Sequence, residues 1–162
     1  MIVADTSALI TIATIDLLDT FLSEFEVHTT ETVIEELEAT SEYNDRHGEA
    51  AQTILDQIDQ LQIHGTEDPN IQSSRIDEGE ATTIRLTNEL EANFLITDDL
   101  RALPELQTLV NTQVAISPIV LKALVKRNVL TEQEALEKLE HAAANRNWHE
   151  SPIYRRAKKL FE

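Results

Sequence analysis

The sequence predicts an α/β protein: a central parallel sheet with helices on both faces. Short apolar runs of strand length alternate with longer stretches whose apolar residues recur at helical spacing, the pattern of strands joined by helical crossovers. Two of those runs end directly on acidic residues, at Asp5 and at Asp98-Asp99, where a sheet of this kind would open a ligand cleft. No internal repeat or low-complexity tract is present, and 162 residues fit one domain, with 131–162 as a helical C-terminal extension.

Taken in order, Ile2-Val3-Ala4 forms the first strand, and Asp5-Thr6-Ser7 supplies N-cap residues for the helix behind it. The stretch ALITIATIDLLDTFLSEF is helical, with Asp16 opening a second helix, and Glu26-Val27-His28 returns as a strand. A helix from Thr29 to Thr40 follows. Another runs from Arg46 to Leu61, with Ala50, Ile54, Ile58 and Leu61 on one stripe. Gln62 to His64 reads as an edge strand and Gly65 to Arg75 as a loop. In the second half a helix from Glu78 to Glu91 leads into a strand from Asn93 to Thr97. Then come a short helix interrupted at Pro104, a strand from Gln113 to Ile116 and a helix begun by Pro118. Thr131 and Glu134 fit a capping box at the start of the next helix, and Pro152 to Phe161 forms the last.

Composition narrows the chemistry. The chain has no cysteine, which excludes disulfides, thiolate nucleophiles and Cys-ligated zinc; any metal must sit on oxygen or imidazole ligands. No run approaches the ~20 apolar residues of a membrane helix. The start MIVADTSALI lacks the basic segment and cleavage site of a signal peptide, so a cytoplasmic protein without membrane contact is expected. The net charge of −17 is unevenly spread: residues 1–100 hold 23 acidic and 3 basic side chains, residues 101–162 hold 7 and 10. An acidic balance of this size on a regularly patterned chain points to a halophile's protein, adapted to molar salt that screens repulsion within ~3 Å.

Asp5 and Asp98 end strands that lie at the same edge of a parallel sheet. Carboxylates gathered there repel unless a cation joins them, and Mg²⁺ or Mn²⁺ held by Asp and Glu oxygens can activate water for phosphodiester hydrolysis. The plainer role of each aspartate is a helix N-cap. In TETVIEELE the apolar face of Val33, Ile34 and Leu37 turns Glu35 outward and leaves Glu36 and Glu38 at its borders. Glu80 shares a stripe with Ile84 and Thr87 in a first helical turn, where its plainer role is to complement the helix dipole; Asp77 and Glu78 compete for that role. Periodicity does not choose among these acids. His28 and His64 sit near strand candidates with no second histidine at i+2 or i+4, which favours structural roles, and Trp148 is read as a packing residue.

Four segments together resemble PIN domains, of the stand-alone prokaryotic kind similar to VapC-type toxins. They are IVADTSALI; VIEEL, which places V-x-x-E-L on Val33, Glu36 and Leu37; DEGEATTIRLTNEL, with Glu80 in a G-E-A-x-x-I-x-L pattern; and FLITDDLRAL, with Asp98 and, beside it, Asp99. The segment SPIVLKALVKRNVLTEQEALEKL is similar to the one after the last strand in that branch. One departure is Leu103-Pro104, which shortens the helix after the fourth segment.

The resemblance implies a Rossmann-like, three-layer α/β/α fold and a metal-dependent endoribonuclease. On it, Asp5, Glu36, Glu80 and Asp98 form an acidic pocket for Mg²⁺ or Mn²⁺, with Asp99 as a fifth member and Ser7 and Thr97 orienting the ligands. It implies in-line attack of water on RNA, leaving 5′-phosphate and 3′-hydroxyl ends, and it raises a small antitoxin protein and a second copy of the chain as partners. Arg101 and the basic last helix, Arg155, Arg156, Lys158 and Lys159, are the candidate nucleic-acid contacts; the helix dipole is the competing reason for the latter four. The rival functional class is a catalytically silent PIN-like module that binds RNA or protein. Phosphotransfer fails on order, since a receiver domain carries an acidic pair on its first strand and a dehalogenase-like phosphatase carries D-x-D, where this chain has Asp5-Thr6-Ser7.

Overall fold

The computed structural model describes residues 1–65 and 76–162. Five strands form a single, wholly parallel sheet: β1 (Ile2–Ala4), β2 (Val27–Thr30), β3 (Gln62–His64), β4 (Phe94–Ile96) and β5 (Gln113–Ala115). Their order across the sheet is β3-β2-β1-β4-β5. The helices described are α1 (Thr6–Thr14) and α2 (Leu18–Glu24) between β1 and β2, then α3 (Glu31–Thr40) and α4 (Arg46–Asp56) between β2 and β3. They continue with α5 (Glu78–Leu90) before β4 and α6 (Leu103–Leu109) before β5. After the last strand come α7 (Pro118–Lys126), α8 (Glu132–Asn145) and α9 (Pro152–Lys159).

Period-two alternation sorts the strand residues to the two faces. Ile2, Ala4 and Ile96 join one core cluster together with residues of α1 to α4 and α7 to α9. Val3 and Leu95 join a second, smaller cluster with Ala81, Ile84 and Leu86 of α5 and Leu106 of α6. The architecture is therefore three-layered, α/β/α, as the alternation predicts. Residues 131–162 are not peripheral: Ala135, Leu139, Ala142, Ala143 and Trp148 are buried in the larger cluster.

The chain winds outward from β1 through β2 to β3, then crosses back to β4 beside β1 and outward again to β5. The direction reverses between β1 and β4, whose registers pair Ile2 with Phe94 and Ala4 with Ile96. A crevice opens at such a reversal, beyond the carboxyl ends of the strands, because the two connections leave in opposite directions. Asp5 and Thr97 are the first residues past those two ends.

Local chemistry moves several boundaries. Asp16 does not open a helix; it takes a left-handed conformation, φ 57°, just past α1, where the Leu17 amide donates back to the Ile12 carbonyl in a Schellman closure. The second strand runs on to Thr30, whose hydroxyl caps α3 by accepting from the Val33 amide. The helix from Arg46 stops at Asp56, and a 3₁₀ turn, Ile58–Gln60, carries the chain to buried Leu61. Pro104 sits in the first turn of α6, where its missing N–H costs nothing, and so starts that helix instead of interrupting it. The capping box of Thr131 and Glu134 is present. The expected loop after Gly65 covers residues 66–75, outside the described residues. No single helix among the described residues is long and apolar enough to cross a membrane.

Candidate functional site

A cavity of about 240 Å³ lies at the reversal point, lined by Asp5, Thr6, Ser7, Ile10, Glu36, Asp77, Gly79, Glu80, Asp99 and Arg146. The acids arrive from the ends of β1 and β4, from α3 and from the start of α5. Asp5 terminates β1 and is at the same time the N-cap of α1, its Oδ1 accepting from the Ala8 amide at 3.0 Å. Capping and cavity lining thus coexist in one carboxylate. Ser7 Oγ donates to the same oxygen at 2.9 Å, and Thr97 Oγ1 donates to Oδ2. Ser7 and Thr97 in turn accept from the amides of Asp98 and Asp99, at 3.0 and 3.2 Å. These two hydroxyls tie the end of β1 to the end of β4.

Glu36 comes from the border of the apolar face of α3, with Glu35 and Glu38 exposed on either side. Glu80 comes from the first turn of α5, whose N-cap is Asp77, accepting from the Glu80 amide at 2.8 Å. Glu78 is exposed and does not line the cavity. Gly79 makes the meeting of α3 and α5 sterically feasible: a Cβ there would stand 1.8 Å from Glu36 Oε1.

The two adjacent aspartates after β4 have different neighbours. Asp99 lines the cavity, and its Oδ1 accepts from the Arg101 amide at 3.0 Å. Asp98 is turned away from the cavity. Its Oδ1 and Oδ2 accept from the Ser117 amide and hydroxyl, both at 2.7 Å, fastening β4 to the start of α7. Of the two expected acids only Asp99 lines the cavity, because both oxygens of Asp98 are taken by Ser117. Arg101 is exposed, as are Arg155, Arg156, Lys158 and Lys159 of α9, and none of the five lines the cavity.

Burial and neighbouring carboxylates raise several of these acids. Burial raises the Asp5 carboxyl to about 7, against its three hydrogen-bond donors, with Asp98 adding to the rise. Glu36 is also raised to about 7, by burial first and then by the charges of Asp77 and Asp5. Glu80 is raised furthest, to about 9, by burial and then by Asp77 and Asp99. Burial raises Asp98 as well, opposed by the Ser117 bonds. Glu80 is 4% exposed and its Oε2 has no hydrogen-bond partner. An orphaned, buried carboxylate oxygen costs about 1–3 kcal/mol, a cost that a cation in the cavity removes.

The donor set fits Mg²⁺ or Mn²⁺, which take hard oxygen ligands. The clearance that Gly79 leaves for Glu36 fits it too. Among the described residues no three such groups stand together at metal-ligand spacing. Of the lining acids, Asp5, Glu36, Glu80 and Asp99 could hold such an ion.

One lining residue was not foreseeable from the sequence. Arg146, at the C-cap of α8, is a cation on the wall of an acidic cavity. No apolar period or motif marks it. Its local signal is the turn A-N-R-N-W, in which Asn147 adopts φ 56° and the Trp148 amide returns to the Ala143 carbonyl at 2.8 Å. His28 and His64 also meet unexpectedly, Nδ1 to Nε2 at 2.8 Å across β2 and β3, but no third ligand among the described residues joins them.

No curated protein and no solved structure matches the chain significantly. A family model described as a PIN domain does, over residues 1–162. It spans both strands that frame the cavity, the helices that bring Glu36 and Glu80, and the C-terminal helices that bring Arg146; the chain belongs to the PIN domain family, whose fold is that of nucleases.

Proposed function

We propose that the chain is a metal-dependent endoribonuclease that hydrolyses RNA phosphodiester bonds. The observation that carries this is Glu80: a buried carboxylate with an orphaned oxygen, in a cavity where Asp5, Glu36 and Asp99 converge at the sheet's reversal point. A silent binding module has no reason to retain four costly carboxylates in one cleft. The substrate, RNA, is the one that the resemblance of the four acidic segments favours.

Each residue has a task. Asp5, Glu36, Glu80 and Asp99 hold Mg²⁺ or Mn²⁺. Ser7 and Thr97 fix the Asp5 carboxylate by donating to it, and their acceptance of the Asp98 and Asp99 amides sets the distance between the two strand ends. Asp98 anchors this turn to Ser117 and acts as a positioning residue. When bound, the ion supplies charge against the phosphate and lowers the pKa of a coordinated water. At neutral pH the free cavity holds protons on Glu80 and part of the time on Asp5 and Glu36, and ion binding displaces them. In the same reading the protein acts in the cytoplasm, as a homodimer, and as the toxin of a pair with a small antitoxin.

The test is cleavage of a mixed pool of single-stranded and structured RNA in molar KCl with Mn²⁺ or Mg²⁺. Wild type should cut. Asp5→Asn, Asp99→Asn and an EDTA control should not, while both variants melt at or above the wild-type temperature, since each removes a like charge from the free cavity. A folded, Mn²⁺-bound wild type that leaves every RNA intact overturns the proposal.

A further inference from the structure

Arg146 lines the acidic cavity yet is paired with none of its acids: no carboxylate among the described residues lies within ion-pair distance of the guanidinium. Asp98 and Asp5 are close enough to act on its charge, and both have their oxygens occupied by other donors. The Arg146 Nε–H is buried without a hydrogen-bond partner. One terminal nitrogen, Nη1, bonds His47 Nε2 at 3.1 Å, so the plane of the guanidinium is steadied from α4. The helix that carries Arg146 is itself fastened. Arg46 Nη1 donates to Asn145 Oδ1 at 2.7 Å, Asn145 Nδ2 to the Thr14 carbonyl at 3.1 Å, and Lys138 Nζ to the Ile15 carbonyl at 2.9 Å.

A rigidly held guanidinium with unused donors, facing carboxylates that do not take them, awaits an anion. A metal ion held by the acids would leave such donors unsatisfied, whereas a phosphodiester entering the cavity would offer a non-bridging oxygen to the guanidinium of Arg146. It also answers a problem of charge, because a chain of net charge −17 repels a polyanion over much of its surface and the exposed basic residues of α9 do not line the cavity. We propose that Arg146 is the phosphate-binding residue of the cavity, contacting the RNA backbone next to the metal site, with His47 as its positioning residue. This rests on the nuclease reading above.

The test compares wild type, Arg146→Ala and Arg146→Lys at the lowest KCl concentration at which circular dichroism shows all three folded. Three quantities are measured: Mn²⁺ affinity without RNA by calorimetry, affinity for fluorescent single-stranded poly(U), and kcat and KM for its cleavage. For Arg146→Ala, Mn²⁺ binds as tightly as to wild type or tighter, while poly(U) affinity and kcat/KM fall about tenfold to a hundredfold. Arg146→Lys recovers part of the loss, and added guanidinium ion recovers part of it for the alanine variant. Wild-type kcat/KM in Arg146→Ala overturns the assignment. So does a loss of Mn²⁺ binding in that variant, which makes Arg146 a part of the metal cavity. If wild type binds Mn²⁺ and poly(U) but does not cut, the nuclease reading fails alone, and the poly(U) affinities still decide on Arg146; a wild type that binds neither overturns both.

Discussion

Asp5, Glu36 and Glu80 hold their protons to a higher pH in the folded chain than they would in an unfolded one, and that difference ties stability to pH. Their ordinary values are 3.8, 4.5 and 4.5, and the fold raises them to about 7, about 7 and about 9, chiefly by burial. The folded state thus favours the neutral carboxyls. Its advantage is complete below the ordinary values and is lost as pH rises through the raised ones. In EDTA the melting temperature should fall between pH about 4.5 and about 9, the span over which Glu80 is affected. Mn²⁺ should reverse the trend, because it binds only the deprotonated acids and tightens as protons leave. Melting curves in EDTA and in Mn²⁺ across that span check both; an EDTA curve that stays level or climbs sinks the account. Strand ends and helix faces made these acids candidates in the sequence, and the resemblance of the four segments to PIN domains chose among them. Asp98 and Asp99 were not separable, since adjacent acids after a strand differ only in direction, which Ser117 decides through a contact 19 residues away. Arg146 was hidden for a similar reason: its cavity partners come from β1, α3, α5 and the end of β4, far along the chain.

The junction of α3 with α5 shows how helix packing sets the acidic cleft. The two helices approach where Gly79 has no side chain, and Glu36 Oε1 occupies the space a methyl group would need. Gly79→Ala should therefore push Glu36 aside. Alanine is the better helix former by ~1 kcal/mol, so the helix itself should not suffer. The expected result is a Mn²⁺ affinity at least about tenfold lower, as for loss of one well-placed partner of a ligand, with a melting temperature in EDTA that changes little. Calorimetric Mn²⁺ titration and a thermal melt measure the two separately. Wild-type affinity in that variant means that Glu36 is not a ligand. Element boundaries were legible where caps are local, as at Thr131 with Glu134 and at Pro118. They were misread where tertiary packing overrode the pattern. The stripe from Ala50 to Leu61 continues in sequence, yet the chain breaks at Gln57 so that Leu61 can enter the core and lead into the edge strand β3.

The charge of the chain acts over all of it at once. Thirty acidic residues face 13 basic ones, and the described residues show few ion pairs, Arg85 with Glu89 and Arg127 with Glu24 among them. Most surface carboxylates therefore repel one another through water, over ~10 Å at 0.1 M salt and ~3 Å at 1 M. This repulsion opposes compaction and does not arise from any one contact. The metal-free protein should gain stability steadily as KCl rises toward molar concentration. A general salt effect on apolar burial would give the same sign, so the slope must be linked to the charges themselves. Glu35, Glu38 and Glu42 lie exposed along α3 and the turn behind it, away from the cavity. The triple variant Glu35→Gln, Glu38→Gln, Glu42→Gln should be more stable than wild type in dilute KCl. The two should converge in molar KCl, where screening has already removed what the substitutions remove. Urea unfolding midpoints across a KCl series measure both slopes. Parallel slopes would assign the salt dependence to apolar burial, and the acidic surface would then act on solubility and on what the protein keeps at a distance, with Arg146 the cation that lines the cavity.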